Sequence, residues 1–470
     1  MSTAQGYGIS VLYVLMSFTL TRNIQCCDFL KRKLLHFLMA NWWFIRIFWN
    51  TNILAITLGP LIFIFINYYI TKINKEVKDY GLIYFSIALT GLTILSFESE
   101  KFLMYCTVAM VILGIGDPCA AIFGKKYGKK RTLNNKTYIG SISFLITSFC
   151  FTMFVLAIFH SNEVLKGMVV CLVATIAELI SEKGGDNLFI PISVLFTYIS
   201  FESKLLMLLA LCHIIFALIV SMKRNLTFDA TLCSYCIGNI AGWLGGIEGI
   251  IILYGFFILA VGGETLVKIK KKNTCETLCT SKYHEQRNIY QVLANSGIAL
   301  IILLLYWKND NIMYLYTYCA IFSASLSDTM ASCFGSAFGK KTVSITTFKL
   351  VDSGLSGGIT LCGCISGAIA SWLLPFLLLL GAQVKLNLYM VALCGILGFF
   401  GMLIDSLLGD VLQVKYKCRV CEKVIENKYC CEKEAIKIKG LQCINNNVVN
   451  LLSTILIALI GSSIFNGLIK

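Results

Sequence analysis

Apolar runs separated by short polar loops constrain this chain more than any single motif does. They fall near 9–20, 37–48, 53–71, 81–96, 102–123, 138–160, 164–180, 188–201, 204–221, 231–244, 247–266, 290–306, 312–334, 360–380, 386–410 and 448–468. Hydrophobic residues make up 57% of the 470 residues and charged residues 14%, where an average soluble domain has about 25% charged. A helix crosses a bilayer with about 20 apolar residues, so the expected fold is all-α, a polytopic integral membrane protein of roughly 14–16 transmembrane helices. Four prolines and 37 glycines suit long helices packed closely through glycine. The run 9–20 lacks a basic flank and a clear small-residue cleavage site, so it reads as a retained first helix rather than a signal peptide.

The net charge of +15 comes from 40 basic and 25 acidic residues. Nucleic acid is not the expected partner, because Lys and Arg sit in short loops between apolar runs, where they mark the cytosolic side of a bilayer. If each run crosses once, 22–33, 124–136, 181–187, 268–287, 335–352 and 413–440 share one face and hold most of the basic residues. The 21 cysteines are mostly scattered through apolar runs as small hydrophobes, unlike a secreted disulfide framework.

An internal repeat is visible. Asp117-Pro-Cys-Ala-Ala-Ile-Phe-Gly-Lys-Lys-Tyr-Gly-Lys-Lys130 resembles Asp328-Thr-Met-Ala-Ser-Cys-Phe-Gly-Ser-Ala-Phe-Gly-Lys-Lys341 at a constant offset of 211. It pairs Asp117 with Asp328, Ala120 with Ala331, Phe123 with Phe334, Gly124 with Gly335 and Gly128 with Gly339. Each copy closes an apolar run and enters a basic loop, followed by Lys136 or Lys349 ahead of a Gly/Ser segment. Two modules, 1–222 and 225–470, are expected.

Only 25 acidic residues are available, and a carboxylate within an apolar run is costly enough to be a functional candidate by default. Asp117, Glu178, Asp186, Asp328 and Asp405 meet that description; Asp352 lies in a polar loop. Between Gly124 and Lys136 stand Lys125, Lys126, Lys129, Lys130 and Arg131, with no acid. Lysines and glycine-exposed N–H groups suit phosphate oxygens, and nearby carboxylates suit Mg²⁺. The segment from Gly335 to Thr342 is one residue short of a P-loop and follows an apolar helix, so it is set aside. The four histidines are dispersed, and His36 stands out after Arg32-Lys33. Cys418-Arg-Val-Cys421 with Cys430-Cys431 has the character of a structural zinc site or of chance in a cysteine-rich chain.

With these residues in hand, residues 1–222 resemble the dolichol kinase/phytol kinase family of CTP-dependent polyprenol kinases. The matching pieces are Arg32-Lys33-x-x-His36, Gly116-Asp117-Pro118-x-Ala120 with Gly124 and Gly128, Lys136-x-x-x-Gly140-Ser141, and Ala177-Glu178 with Gly185-Asp186-Asn187-x-x-x-Pro191. Residues 225–470 resemble the family that contains plant phytyl-phosphate kinase. There the pieces are Arg287-Asn288-x-x-Gln291-Val292-x-Ala294-Asn295, Ser327-Asp328-Thr329-x-Ala331-Ser332, and Ile345-Thr346-Thr347. They continue in Gly354-x-Ser356-Gly357-Gly358, Asp405-Ser406-Leu407-x-Gly409 with Gln413, and Asn446 with Val449-Asn450. Cys333 stands where that family has glutamate, and Asn445 and Asn447 stand near expected acids.

The resemblances imply an isoprenoid-salvage kinase in an endoplasmic reticulum or plastid-type membrane, with its polar motifs on the cytosolic face. The first module would phosphorylate a prenyl alcohol with CTP or another nucleoside triphosphate, and the second would extend the prenyl monophosphate to the diphosphate. On that reading Asp117 and Asp186 hold Mg²⁺ or orient the hydroxyl, while Lys136 and the 124–131 loop, including Lys129, bind phosphates. Arg32, Lys33, Glu178 and Asn187 give polar support. Asp328 and Asp405 take the metal role in the second module, and Arg287, Lys349 and the Gly354–Gly358 loop the phosphate role. Three other readings stay open: a cytidylyltransferase making a CDP-lipid, a kinase active in the first module alone, and a transporter of phosphorylated lipids built on the repeat.

Overall fold

A computed structural model describes residues 3–48, 52–73, 80–182, 184–272, 286–352, 354–422, 424–431 and 433–469. Most of the basic 268–287 loop lies outside the described residues. The chain divides into two compact units, Met1–Leu232 and Cys233–Lys470.

The first unit contains α1 (Thr3–Asn23), α2 (Asp28–Phe48), α3 (Ile53–Ile73), α4 (Gly81–Leu95), α5 (Glu100–Val111), α6 (Asp117–Tyr127), α7 (Tyr138–Ile158), α8 (Val164–Ile180), α9 (Asp186–Ser200) and α10 (Lys204–Lys223). Helix α11 (Phe228–Lys272) runs from the first unit into the second and is interrupted at Gly246, whose φ of 56° and ψ of −143° only glycine takes readily. That interruption is why 231–244 and 247–266 read as two runs. The second unit continues with α12 (Ile289–Asn309), α13 (Met313–Phe338), α14 (Leu361–Gly381), α15 (Leu388–Val411) and α16 (Asn446–Ile469).

Eight helices among the described residues are long and apolar enough to cross a membrane, and three more apolar ones are shorter. This is below the expected 14–16. Helix α4, for example, has 15 residues, about 22 Å at 1.5 Å per residue against a hydrocarbon core of about 30 Å. The all-α expectation also needs a small correction. A hairpin of β1 (Val343–Ser344) and β2 (Gly358–Ile359) follows α13. Between α15 and α16 stands a small β-cap: β3 (Lys415–Lys417), β4 (Val424–Ile425), β5 (Tyr429–Cys430), β6 (Lys433–Glu434) and β7 (Ile436–Lys439), with strand order β4-β3-β7 beside the β5-β6 hairpin.

The two units repeat one frame. In the first, α6 packs on α7, α7 on α8, α8 on α9, and α4 and α5 on α9. In the second, α13 packs on α14, α14 on α15, α15 on α16, and α12 and α13 on α16. The central helix is enclosed in both: every residue of Met104–Val111 in α5 is buried, and so is every residue of Leu315–Ser327 in α13. A helix apolar all round must be covered all round.

Glycine and threonine fix how the central helix meets the next one. Thr137 caps α7 by accepting from the Gly140 N–H at 3.1 Å, and Thr360 caps α14 by accepting from the Gly363 N–H at 2.9 Å. A Cβ on Gly128 would stand 2.3 Å from the Gly124 carbonyl oxygen and 2.6 Å from Thr137 Cβ. On Gly339 it would meet the Gly335 carbonyl oxygen at 2.4 Å and Thr360 Cβ at 2.9 Å. Gly124 and Gly128, read from sequence as openings for a ligand, are packed closely against Thr137, and Gly335 and Gly339 stand in the same way against Thr360. The offset grows from 211 at Gly124/Gly335 to 223 at Thr137/Thr360, so the second unit inserts 12 residues, which form the β1–β2 hairpin.

Gly128→Ala and Gly339→Ala should each destabilise the protein by about 1–3 kcal/mol, because backbone must move to admit the methyl group. Gly297→Ala, with nothing within 4 Å of its Cβ, should be neutral or mildly stabilising. Unfolding midpoints in detergent measure all three.

Candidate functional site

The central helix of the first unit widens just before Asp117. Residues Ile112–Gly116 form a single π-helical turn between α5 and α6, a feature that recurs at functional sites. Gly114 and Gly116 admit close neighbours, Ala40 and Ser148 respectively. Pro118 has no N–H, so the helical ladder cannot close there. The Leu113 carbonyl is approached instead by His36 Nε2 at 3.4 Å. A carbonyl only accepts, so that contact requires the proton on Nε2.

Asp117 is 5% exposed and takes the Lys33 ammonium from α2 at 2.6 Å. Across the unit, Lys136 Nζ lies 2.7 Å from Glu178 Oε1 on α8 and 3.4 Å from Asp186 Oδ2 at the start of α9. Ser141 Oγ reaches Glu178 Oε2 at 3.5 Å. Asn187 Nδ2 donates to the Gly81 carbonyl at 3.0 Å and ties α9 to α4. Lys136 is placed by its loop: Asn134 and Asn135 adopt left-handed φ of 53° and 61°, which asparagine tolerates. Asn134 Nδ2 then pins the loop to the Ile180 carbonyl at 2.6 Å.

Burial alone lowers the affinity of Lys136 for its proton; the carboxylates of Asp186 and Glu178 outweigh it and hold the ammonium above its ordinary 10.5. The stabilisation from this raised value is complete below 10.5 and is lost only as pH rises through the folded-state value. At neutral pH the lysine is a fixed charge. The other predicted basic residues sit farther out: Arg32, Lys129 and Lys130 are exposed, and Lys125 Nζ lies over the Phe29 ring at 4.1 Å.

In the second unit Asp328 on α13 and Asp405 on α15 lie within electrostatic reach of one another. Both are half-buried, and neither has an ion pair among the described residues. Ser406 follows Asp405 on α15, while Thr329 back-bonds to the Ser325 carbonyl at 2.8 Å and Ser332 is exposed. Asn450 Nδ2 reaches Asn295 Oδ1 at 3.4 Å and links α16 to α12, as Asn187 links α9 to α4.

Several residues expected at a phosphate site have other work. Asn288 and Gln291 form a capping box at the start of α12, with bonds of 3.1 and 3.0 Å. Arg287 pairs with Glu264. Asn446 opens α16, whose first turn is met by Asn445 Oδ1 accepting from the Val448 N–H at 3.1 Å. Lys349 is exposed, and the residue that matches Lys136 ahead of the capping threonine is Ile359. The Gly354–Gly358 loop is already engaged within the protein: Ser356 N–H donates to Glu426 Oε1 at 2.7 Å, and a Cβ on Gly357, at φ 79°, would collide with the Cβ and backbone of Asp410.

Asp410 was not legible as a site residue. It is 3% exposed and accepts from Ser344 Oγ and Thr346 Oγ1 at 2.5 Å each, from Lys415 Nζ at 2.9 Å and from Lys439 Nζ at 3.1 Å. Four donors satisfy this carboxylate within the protein. It joins the β1–β2 hairpin to the β-cap.

Lys136→Met should cost about 3–5 kcal/mol, because it leaves Glu178 and Asp186 without their cation. Adding Glu178→Gln should recover part of the loss. An unchanged unfolding midpoint for the single variant would show that the lysine does not hold the pair.

The integral membrane protein family DUF92 matches residues 211–458, more than half of the chain. The chain is 30% identical over 255 residues to an uncharacterized membrane protein of Methanocaldococcus jannaschii, covering 53% of this chain and 90% of that protein. It is 28% identical over 258 residues to Protein PGR of Arabidopsis thaliana, covering 46% and 86% respectively. Protein VTE6, chloroplastic, of the same plant is 24% identical over 158 residues, 33% of this chain and 46% of its own length. No solved structure matches the chain. The matched stretch takes in all of α12 to α15 with Asp328 and Asp405, and the chain belongs to the DUF92 family of multi-pass integral membrane proteins.

Proposed function

We propose that this protein is a membrane phosphotransferase acting on prenyl lipids. Its first unit converts a prenyl alcohol to the monophosphate, and its second converts the monophosphate to the diphosphate. The observation that carries the reading is one repeated helix frame with an aspartate in its central helix, neutralised by lysine at Asp117 and, among the described residues, left without a cation at Asp328. The motifs that resemble phytyl-phosphate kinase all fall within the stretch matched by DUF92. An apolar tail can stay among lipid chains while its head group reaches the carboxylates and basic loops.

In each transfer a substrate oxygen attacks the terminal phosphorus of the nucleoside triphosphate, the bridging P–O bond breaks, and the nucleoside diphosphate leaves. An alcohol must also lose its proton. Asp117, fixed by Lys33 at 2.6 Å, accepts it, while Lys136 attracts phosphate oxygens from its place between Glu178 and Asp186. A prenyl monophosphate is already ionised, so the second step needs cationic charge more than a base. Asp328 and Asp405 fit Mg²⁺, which takes one or two protein carboxylates and fills its shell with water and phosphate. Bound there, the ion supplies charge that offsets the transferring phosphate oxygens. CTP is the proposed donor, from the resemblance of the first unit to polyprenol kinases, and an endoplasmic reticulum or plastid-type membrane is the proposed setting.

Purified full-length protein in detergent, given labelled CTP or ATP with farnesol, geranylgeraniol, phytol or dolichol, should form the lipid monophosphate and then the diphosphate. Asp117→Asn should slow alcohol phosphorylation about 10²–10⁴-fold, the usual contribution of a positioned base, yet leave supplied monophosphate convertible. Asp328→Asn with Asp405→Asn should do the reverse. A lipid product that retains CMP would overturn the reading in favour of cytidylyl transfer, and flux without nucleotide consumption in favour of transport.

A further inference from the structure

Outside both carboxylate sites, the β-cap brings together four thiols. Cys418 and Cys421 flank a turn after β3, Cys430 ends β5, and Cys431 begins the turn into β6. Their sulfurs all lie within 4.8 Å of one another, the one such convergence of three or more His, Cys, Asp or Glu ligand atoms among the described residues. Cys421 Sγ is 3.8 Å from Cys430 Sγ, which is 3.7 Å from Cys431 Sγ. Those separations are far beyond a disulfide bond of about 2.05 Å. They agree with the edge of a tetrahedron whose centre lies about 2.3 Å from each sulfur, about 3.8 Å, the geometry of zinc bound by four thiolates.

The surroundings suit the same ion. The backbone N–H groups of Val420 and Cys421 point at Cys418 Sγ from 3.4 and 3.5 Å, the outer-shell donation that orients a metal-bound thiolate. Zinc with four thiolates carries a net charge of −2, and residues 415–440 hold eight basic against four acidic side chains. The cap has little else to hold it. Its buried core is Val414, Tyr416 and Ala435, with Ile425 packed alongside, and no strand in it exceeds four residues. A core of that size needs a staple.

We propose that Cys418, Cys421, Cys430 and Cys431 bind one structural Zn²⁺ that folds the β-cap. The cap in turn supplies Lys415 and Lys439 to Asp410 and Glu426 to the Ser356 N–H, so zinc sets the position of the β1–β2 hairpin against the end of α15. The proposal does not depend on the lipid-kinase reading, since its readout is metal content.

The test is elemental analysis of full-length protein purified in detergent from zinc-supplied cells, with thiol titration and mass spectrometry on the same sample. One zinc per chain is expected, released by a mercurial thiol reagent. Cys418→Ser with Cys421→Ser should lose it, and Cys443→Ser, an exposed cysteine outside the cluster, should keep it. Cobalt exchanged into the unmutated protein should give the visible bands of a tetrahedral thiolate site, a readout that does not depend on the variants folding. Zinc-free protein with four free thiols, a disulfide among the four, or iron in place of zinc would each overturn the proposal.

Discussion

A carboxylate enclosed by helices that face lipid must be met by something of opposite charge or by a proton, and both units are organised around that requirement. In the first unit two lysines reach inward from outside the central helix, Lys33 from α2 and Lys136 from the loop before α7, and each has a carboxylate waiting. Removing either partner is more disruptive than the pair is stabilising, because the survivor is left charged where water is scarce. The second unit solves the same problem differently at two places. Asp410 is closed off by four donors of its own chain, whereas Asp328 and Asp405, within electrostatic reach of each other, have no ion pair among the described residues.

The shared frame explains how one architecture supports two electrostatic settings. Glycine at the contact with the next helix, and threonine at that helix's cap, fix backbone to backbone at a distance that side chains do not control. The scaffold is thereby independent of the residues that carry charge. The 12-residue insertion ahead of Thr360 replaces the lysine-bearing loop of the first unit with a hairpin anchored on Asp410. The repeat preserves the aspartate and exchanges what surrounds it.

Much of the fold was legible in sequence because helix ends coincide with changes in hydropathy. The break at Gly246 was visible as a gap between two apolar runs, and the aspartate repeat follows from a constant offset. The length of each helix was less legible, since an apolar run too short for a bilayer looks in sequence like one that is long enough. Two signals were present but read for the wrong purpose. Glycines four apart at 124 and 128 have the spacing of a helix-packing signature, and Asn288-x-x-Gln291 has the spacing of a capping box. Asp410 left no local trace, because its partners Ser344 and Thr346 lie more than sixty residues away and are unremarkable where they stand.

The π-helical turn at Ile112–Gly116 has a consequence for how α5 and α6 share one axis. Each such turn holds one residue more than its neighbours, which rotates everything beyond it by about 100° relative to an uninterrupted helix. The face that sets Thr107 against Trp43 Nε1 at 3.0 Å and the face that sets Asp117 against Lys33 are therefore phased separately. Excising a single residue from that turn would regularise the hydrogen bonding and swing one of these faces out of alignment with α2. The wide turn acts as a phase-shifter, letting a helix selected for tight enclosure at one end deliver a charged side chain to an exact bearing at the other.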